Sequence, residues 1–481
     1  MADDAMSARD RLTLFTAAAA SLLGILDTTI MNVAIPQAAA AVGLAHGSGQ
    51  WLVTVYALTF GATLLLGGRV ADYWGRKKAF LLGVGVFAAA SLWGGLASTA
   101  GELLASRAAQ GAGAAVMAPA ALAIVTTTFP SGRARGTAFA LLGGITSAGA
   151  ASGIVLGGVL TEFLSWRWCL LVNVPIAIVA IAVAMPVLRE STVDRVPRLD
   201  LLGAITISCG LGALVYGLAS AERGWLETGA VYFSAAGALL LVVFVIVQRR
   251  AAAPLLPLRI LWHRSRGGAF LVQALTGVGM ASTTLYSMFH LQHVLGFAPF
   301  VAGLASLPTA IAIMIMIPIW VRLMRRVGPR QLLILGPLVA AGGAALLSGV
   351  SATGNYWLEV MPGLAVLGVG VAAVFVPVQN VALTGVEPED AGVAGAASSA
   401  TGQVGSALGL AVLTNFFVLA SAGGDTAEEL VRGYSAVFVM AAVVFLLTAL
   451  VAFALIRIPR PRLGVTVDRA VQDLVAPTRS R

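Results

Sequence analysis

Long apolar stretches, separated by short polar and basic connections, follow one another along the whole chain. They lie near 14–34, 51–67, 79–98, 102–125, 136–160, 168–187, 202–219, 229–247, 268–289, 300–321, 331–349, 358–378, 391–416 and 435–456. A helix needs about 17 to 25 such residues to cross roughly 30 Å of hydrocarbon. The pattern therefore predicts an all-α polytopic membrane protein with 14 transmembrane helices. The first stretch begins near Leu12 and contains Asp27 and Asn32. It is too long and, at its far end, too polar for a cleaved signal peptide, and is expected to be the first span.

Composition supports this class. Of 481 residues, 59% are hydrophobic and 11% charged, against about a quarter charged in soluble domains. A formal charge of +9 would suggest nucleic acid in a soluble protein, but here the basic residues sit in short connections between spans, where membrane orientation places them. Nucleic acid is not expected as a partner. An even number of spans puts both termini on one side. Arg69 to Lys78, Arg133, Arg135, Arg189 to Arg198, Arg249 to Arg266, Arg322 to Arg330 and both tails share that side; only Arg167, Arg223 and Arg432 fall on the other. The positive-inside bias makes both termini cytoplasmic. Only two of the 30 basic residues are lysines, Lys77 and Lys78. With abundant Ala and Gly, this fits a GC-rich bacterial genome and placement in the cytoplasmic (inner) membrane.

Around the second and third spans, Val70-Ala71-Asp72-Tyr73-Trp74-Gly75-Arg76-Lys77 recurs more crudely as Leu323-Met324-Arg325-Arg326-Val327-Gly328-Pro329-Arg330, an offset of 253 residues. The repeat predicts two pseudo-symmetric six-helix bundles with two helices inserted between them. The expected division is 1–190 for the first bundle, 191–265 for the inserted pair and its cytoplasmic linkers, 266–457 for the second bundle and 458–481 for a cytoplasmic tail. Duplicated bundles with a site at the midplane are a transporter plan.

Asp27 and Arg107 are the charges well inside apolar helices. A bare charge in hydrocarbon costs several kcal/mol, so such residues face partners or a cavity and work on protons, ions or substrate. Asp27 lies nine residues before Pro36 and Arg107 eight residues after Thr99, which at the helical rise puts both about 12–14 Å below the same surface. If their helices face a common cavity, the pair can trade a proton. Arginine stays protonated, which leaves Asp27 as the carrier. The alternatives are an acid bonded to Asn32 or backbone, and a packing or snorkelling arginine. At the 253-residue offset stand Met280 and Val360, so the pair belongs to one half only. Replacing Asp27 by a neutral isostere is expected to leave the fold intact.

Several segments carry a resemblance. Gly68-Arg69-Val70-Ala71-Asp72-Tyr73-Trp74-Gly75-Arg76-Lys77-Lys78-Ala79-Phe80 resembles the loop G-x-L-a-D-r-x-G-r-k-x-x-l of the major facilitator superfamily. Leu26 to Pro36, the run Arg107-x-x-Gln110-Gly111-x-Gly113, and Trp166-Arg167-Trp168 with Asn173-Val174-Pro175 are similar to motifs of its 14-helix drug:proton antiporter branch. Gly149-x-x-x-Gly153-Ile154-x-x-Gly157-Gly158 resembles that branch's fifth-helix motif, with Ile154 where the family has proline. The glycines offer a smooth face for static packing or for sliding, and without the proline the helix keeps a backbone hydrogen bond at Ile154. The resemblance implies alternating access, proton coupling through Asp27 and Arg107, and a conformational latch formed by Gly68, Asp72, Gly75, Arg76 and Arg133. It also places Asn32, Trp51, Tyr56, Phe60, Gln110, Tyr286, Phe289 and Phe375 on helices lining a substrate cavity.

No Walker A sequence occurs, so the proton gradient rather than ATP or a cofactor is the expected energy source. Cys169 and Cys209 belong to no CxxC or Cys/His cluster, and His290 and His293 have no carboxylate beside them in sequence; no metal site is expected. The expected substrate is a lipophilic drug, antibiotic or natural product handled by a monomer among membrane lipids. The alternatives are a same-fold carrier of lipid or a secreted metabolite with different coupling, and a membrane-embedded transferase.

Overall fold

The computed structural model describes residues 7–44, 48–129, 132–190, 200–221, 227–251, 254–386, 391–424 and 426–457, without the side chains of 132–136, 139, 140, 143, 146, 147, 325, 391 and 392. Fourteen long helices account for nearly all of them. The first half comprises α1 (Ala8–Ala41), α2 (Trp51–Trp74), α3 (Arg76–Leu96), α4 (Ala100–Thr128), α5 (Gly132–Phe163) and α6 (Trp168–Leu171, then Asn173–Val187). Next come α7 (Leu201–Ser220) and α8 (Thr228–Arg250). The second half comprises α9 (Arg264–Phe289, extended by a π-helical turn His290–Val294), α10 (Pro299–Val327), α11 (Pro329–Leu347), α12 (a π-helical turn Tyr356–Val360, then Met361–Leu383), α13 (Ala391–Ser421) and α14 (Ala427–Leu455). Thirteen are long and apolar enough to cross a membrane; in α5 the described apolar part is Ala148–Phe163.

Several helices begin at a polar residue that caps them. Ser7 Oγ accepts from Asp10 N while Asp10 accepts from Ser7 N, and Thr99 with Glu102 and Thr426 with Glu429 form the same reciprocal box. Asp200 caps α7 through Gly203 N at 2.8 Å. These boxes satisfy amide groups that hydrocarbon would leave unpaired. Acids at span ends are thereby fixed to structural work, and Asp27 is left as the deep one.

Packing repeats between the halves. In the first, α1 packs on α5, α6 and α4, α2 on α4, and α3 on α4 and α6; in the second, α9 packs on α13, α14 and α12, α10 on α12, and α11 on α12 and α14. Gly83 of α3 lies against Gly113 O of α4, and Gly336 of α11 against Gly370 O of α12; Gly83 and Gly336 are 253 positions apart. Gly75 (φ 100°) and Gly328 (φ 87°), separated by the same offset, each stand between two helices. A side chain disfavours that backbone conformation. The sequence repeat is a structural one.

Two seams join the halves, α2 against α13 and α5 against α10. In the first, Gly61 meets Ala400 and Val404. The α7–α8 hairpin leans on α2 and α13 through Val215 and Ala219, which pack with Ala57, Ala407 and Ala411.

Gly75→Ala is expected to lower the thermal midpoint by several degrees, since its Cβ would both occupy a glycine-only conformation and collide with the Glu190 carboxylate, at about 1–3 kcal/mol for the backbone alone. Gly85→Ala, whose Cβ would meet nothing within 4 Å, serves as the control. Equal midpoints in thermal unfolding of the two purified variants would contradict this.

Candidate functional site

Five helices of the first half converge on one polar cluster without solvent access. Asp27 of α1 is 0% exposed and Arg107 of α4 1%. Arg107 Nη1 donates to Asp27 Oδ2 at 2.6 Å and to Gln110 Oε1 at 2.7 Å, and Nε donates to the Leu52 carbonyl of α2 at 2.9 Å. The other oxygen, Asp27 Oδ1, accepts from Gln110 Nε2 at 3.0 Å and from Asn173 Nδ2 of α6 at 2.9 Å. Gln110 Nε2 also donates to Ser91 Oγ of α3 at 2.7 Å. The guanidinium lies 4.5 Å from the centre of the Tyr56 ring, a cation–π contact strengthened by dryness.

The arrangement follows from helix geometry. Arg107 and Gln110 are i,i+3 on α4 and share a face, and the level predicted for Asp27 and Arg107 brings carboxylate and guanidinium into contact. Every donor reaching Asp27 is fixed by another bond or by packing, so the carboxylate sits in a preformed cradle. One atom stands apart: Asn173 Oδ1 is buried and has no hydrogen-bond partner.

The five members of the proposed latch divide. Asp72 is half-buried near the end of α2, with Arg76 and Arg69 acting on it electrostatically. The Arg133 side chain lies outside the described residues. Gly68 approaches Pro119 only at van der Waals distance, whereas Gly75 leaves room for Glu190, whose Oε1 accepts from Lys77 N at 3.1 Å. Lys77 Nζ also donates to the Met185 carbonyl at 2.6 Å. Glu190 thus ties the start of α3 to the end of α6, an anion at a helix N-terminus.

The α5 glycines carry two neighbours. A Cβ at Gly149 would meet Leu22 and Ile25, one at Gly153 would meet Thr29, and one at Gly157 would meet the Ile30 backbone, all on α1. At Gly158 it would meet the Pro299 carbonyl and Phe300 Cα of α10, and the Ile154 carbonyl lies against Gly303 of α10. The motif is where α1, α5 and the second half touch.

The remaining candidates scatter. Asn32 and Phe375 are half-buried. Tyr56, its ring stacked on Phe60 at 6.2 Å, and Gln110 belong to the charge cluster. Trp51 packs on Tyr216 of α7 at 6.1 Å, so it faces the inserted pair. Tyr286 shares a 2.6 Å hydrogen bond with Thr414 and reaches Gln50 at 3.4 Å across the halves. With Phe289, His293, Phe417 and Tyr434 it lines a cavity of ≈ 110 Å³ against α1.

This fold, a duplicated helical body with a buried charge cluster in one half, defines a polytopic membrane transporter. A model described as "Major Facilitator Superfamily" matches residues 17–410, and the chain belongs to that superfamily. It is 40% identical to the puromycin resistance protein pur8 of Streptomyces alboniger, over 91% of this chain and 90% of that one. Similarity to the cephamycin export protein CmcT of Amycolatopsis lactamdurans is 38% identity, over 91% and 90%. Tetracenomycin C resistance and export protein of Streptomyces glaucescens is 29% identical, over 86% and 76%. Among solved structures, a peptide transporter POT in complex with sulfate superposes with a TM-score of 0.69 at 15% identity, covering 92% of this chain and 94% of that chain; this likeness is one of fold.

The ion pair changes what the sequence implies for Asp27→Asn. Removing the carboxylate strands a buried guanidinium, and breaking a buried pair from one side costs about 3–5 kcal/mol. Asp27→Asn and Arg107→Gln should each lower the thermal midpoint, and the double variant should be more stable than their sum implies. Additive losses in a double-mutant cycle would show that the two charges are not coupled.

Proposed function

We propose that the protein exports lipophilic small molecules of the drug, antibiotic or natural-product class across the bacterial cytoplasmic membrane in exchange for protons. It works as a monomer by alternating access, with both termini cytoplasmic. The observation that carries this reading is the buried Asp27 carboxylate held by one guanidinium and two amides. An ionisable side chain kept this deep in a membrane span marks, by default, a proton, ion or substrate path. The antibiotics in the relatives' names support the substrate class, and the superfamily supports the cycle.

The chemistry is a proton swap. Ionised, Asp27 accepts three hydrogen bonds and donates none. A proton added to Oδ1 turns that oxygen into a donor facing the Asn173 amide, whose buried carbonyl has no partner. Turning the amide over presents that carbonyl to the new O–H. Protonation also discharges the carboxylate opposite Arg107 and loosens α1 from α4 and α6. Because α1 rests on the glycines of α5, and α5 touches α10, a shift of α1 reaches the second half by direct contact. Two discrete arrangements of these packed helices supply the alternating states.

Among the described residues Asp27 is the acid deep inside a span, so at most one cationic centre of a substrate finds a carboxylate there. A dication entering these surroundings leaves at least one charge without a partner, at a cost of several kcal/mol. Neutral or monocationic substrates are therefore favoured. Vesicle uptake of a monovalent and a rigid divalent cation of matched size and lipophilicity should show selective transport of the first; equal proton-coupled transport of both would contradict the charge count.

In inside-out vesicles, Asp27→Asn is expected to abolish uptake driven by an imposed pH gradient while leaving substrate counterflow measurable. Arg107→Lys should retain part of the activity and Arg107→Ala none, since lysine keeps the charge but not the forked geometry. Gradient-driven uptake at the wild-type rate in Asp27→Asn would refute the proposed coupling.

A further inference from the structure

The inserted α7–α8 pair has no counterpart in the duplicated halves, and where it meets them the molecule forms a cleft of ≈ 540 Å³ at the end where α1 begins. Arg69 of α2, Arg249 of α8 and Arg259 of the short helix Leu258–Trp262 all line it. Arg69 is half-buried and donates through Nη2 to the Pro254 carbonyl at 3.0 Å, fixing that guanidinium at the cleft wall. The floor is the buried side chain of Gln248, which donates to Asp200 at 2.6 Å and accepts from Leu256 N at 3.1 Å. Asp200 uses its second oxygen to cap α7. Three guanidinium groups therefore line one cleft, while the Asp200 carboxylate is engaged by Gln248 and Gly203 N.

The surroundings suit a lipid. On α8, Leu239 (65% exposed), Val242 (56%) and Ile246 (44%) precede Arg249 at steps of three, four and three residues. They form one apolar stripe along the membrane-facing side that ends in a cation. Trp262, 64% exposed, stands three residues beyond Arg259, the kind of side chain that sits at headgroup level. An acyl chain following the stripe delivers its headgroup to the arginines, and guanidinium binds phosphate oxygens in forked pairs.

We propose that this cleft is a binding site for the phosphate of an anionic phospholipid of the leaflet on the terminus side, seating the inserted helix pair against α2. The site is independent of the coupling cluster and of the transport reading. Its role is recognition of the headgroup charge, which zwitterionic lipid does not supply.

The test uses the full-length protein with dioleoyl phosphatidylglycerol or dioleoyl phosphatidylcholine, bound lipid being counted by native mass spectrometry. Phosphatidylglycerol should be retained and phosphatidylcholine lost. Arg249→Gln with Arg259→Gln should weaken retention about thirtyfold, given roughly tenfold or less per interfacial arginine. Arg322→Gln with Arg326→Gln, at the same end but outside the cleft, should leave it unchanged. Arg249→Lys with Arg259→Lys keeps the charge and should keep most of the binding, which separates recognition from misfolding. A photoreactive phosphatidylglycerol should label residues 249–259 of the unmodified protein. Equal loss in the control pair, equal retention of phosphatidylcholine, or labelling elsewhere would overturn the proposal. Displacement of the lipid by millimolar inorganic phosphate would also overturn it, by making the cleft a soluble-anion site.

Discussion

A carboxylate and a guanidinium in a dry helical bundle must be solvated by the protein itself, and that requirement organises the first half. Each ion alone carries a penalty of several kcal/mol, and their attraction offsets it only when remaining donors and acceptors are also satisfied. Here α1 supplies the acid, α4 the arginine and Gln110, α6 Asn173, α3 Ser91, and α2 the Leu52 carbonyl and the Tyr56 ring. Among the described residues, α5 contributes nothing to this cluster. It touches α1 through glycines and the second half through Gly158 and Ile154. The helix left out of the charge network forms one of the two seams between the halves, and α2, which forms the other, contributes to the network.

The second half repeats the packing without the electrostatics. Met280 and Val360 stand where Asp27 and Arg107 would fall. Glycine pairs at α3–α4 and α11–α12 show that the helix–helix geometry was duplicated. The charge pair, by contrast, belongs to one half. In the proposed cycle, protonation would act on that half alone, against a partner with no acid at the matching position.

All fourteen spans were legible because the length and dryness of the bilayer write themselves into sequence as apolar runs. Their ends were less so: capping boxes such as Ser7 with Asp10 carry α1 well past its apolar stretch. Asp27, Arg107 and their common depth could be read from spacing alone. Gln110 entered as a cavity residue, whereas its amide bridges Asp27 and Ser91. Asn173 was visible only as part of a motif, because nothing in a linear sequence announces which face of α6 meets α1. The Leu52 acceptor is a backbone carbonyl and leaves no residue signature. Glu190 caps α3 from 113 positions away, beyond any local pattern. Trp51 shows the converse limit: an aromatic residue on the right helix, turned towards α7.

The account stands on Asp27 changing protonation when substrate binds, which can be measured without transport. Detergent-solubilised protein in weakly buffered solution, mixed with a transported compound of fixed charge, should release about one proton per bound molecule, with Asp27→Asn binding the compound and releasing none. Unchanged proton release from Asp27→Asn would place the exchanging proton on another group and contradict the account.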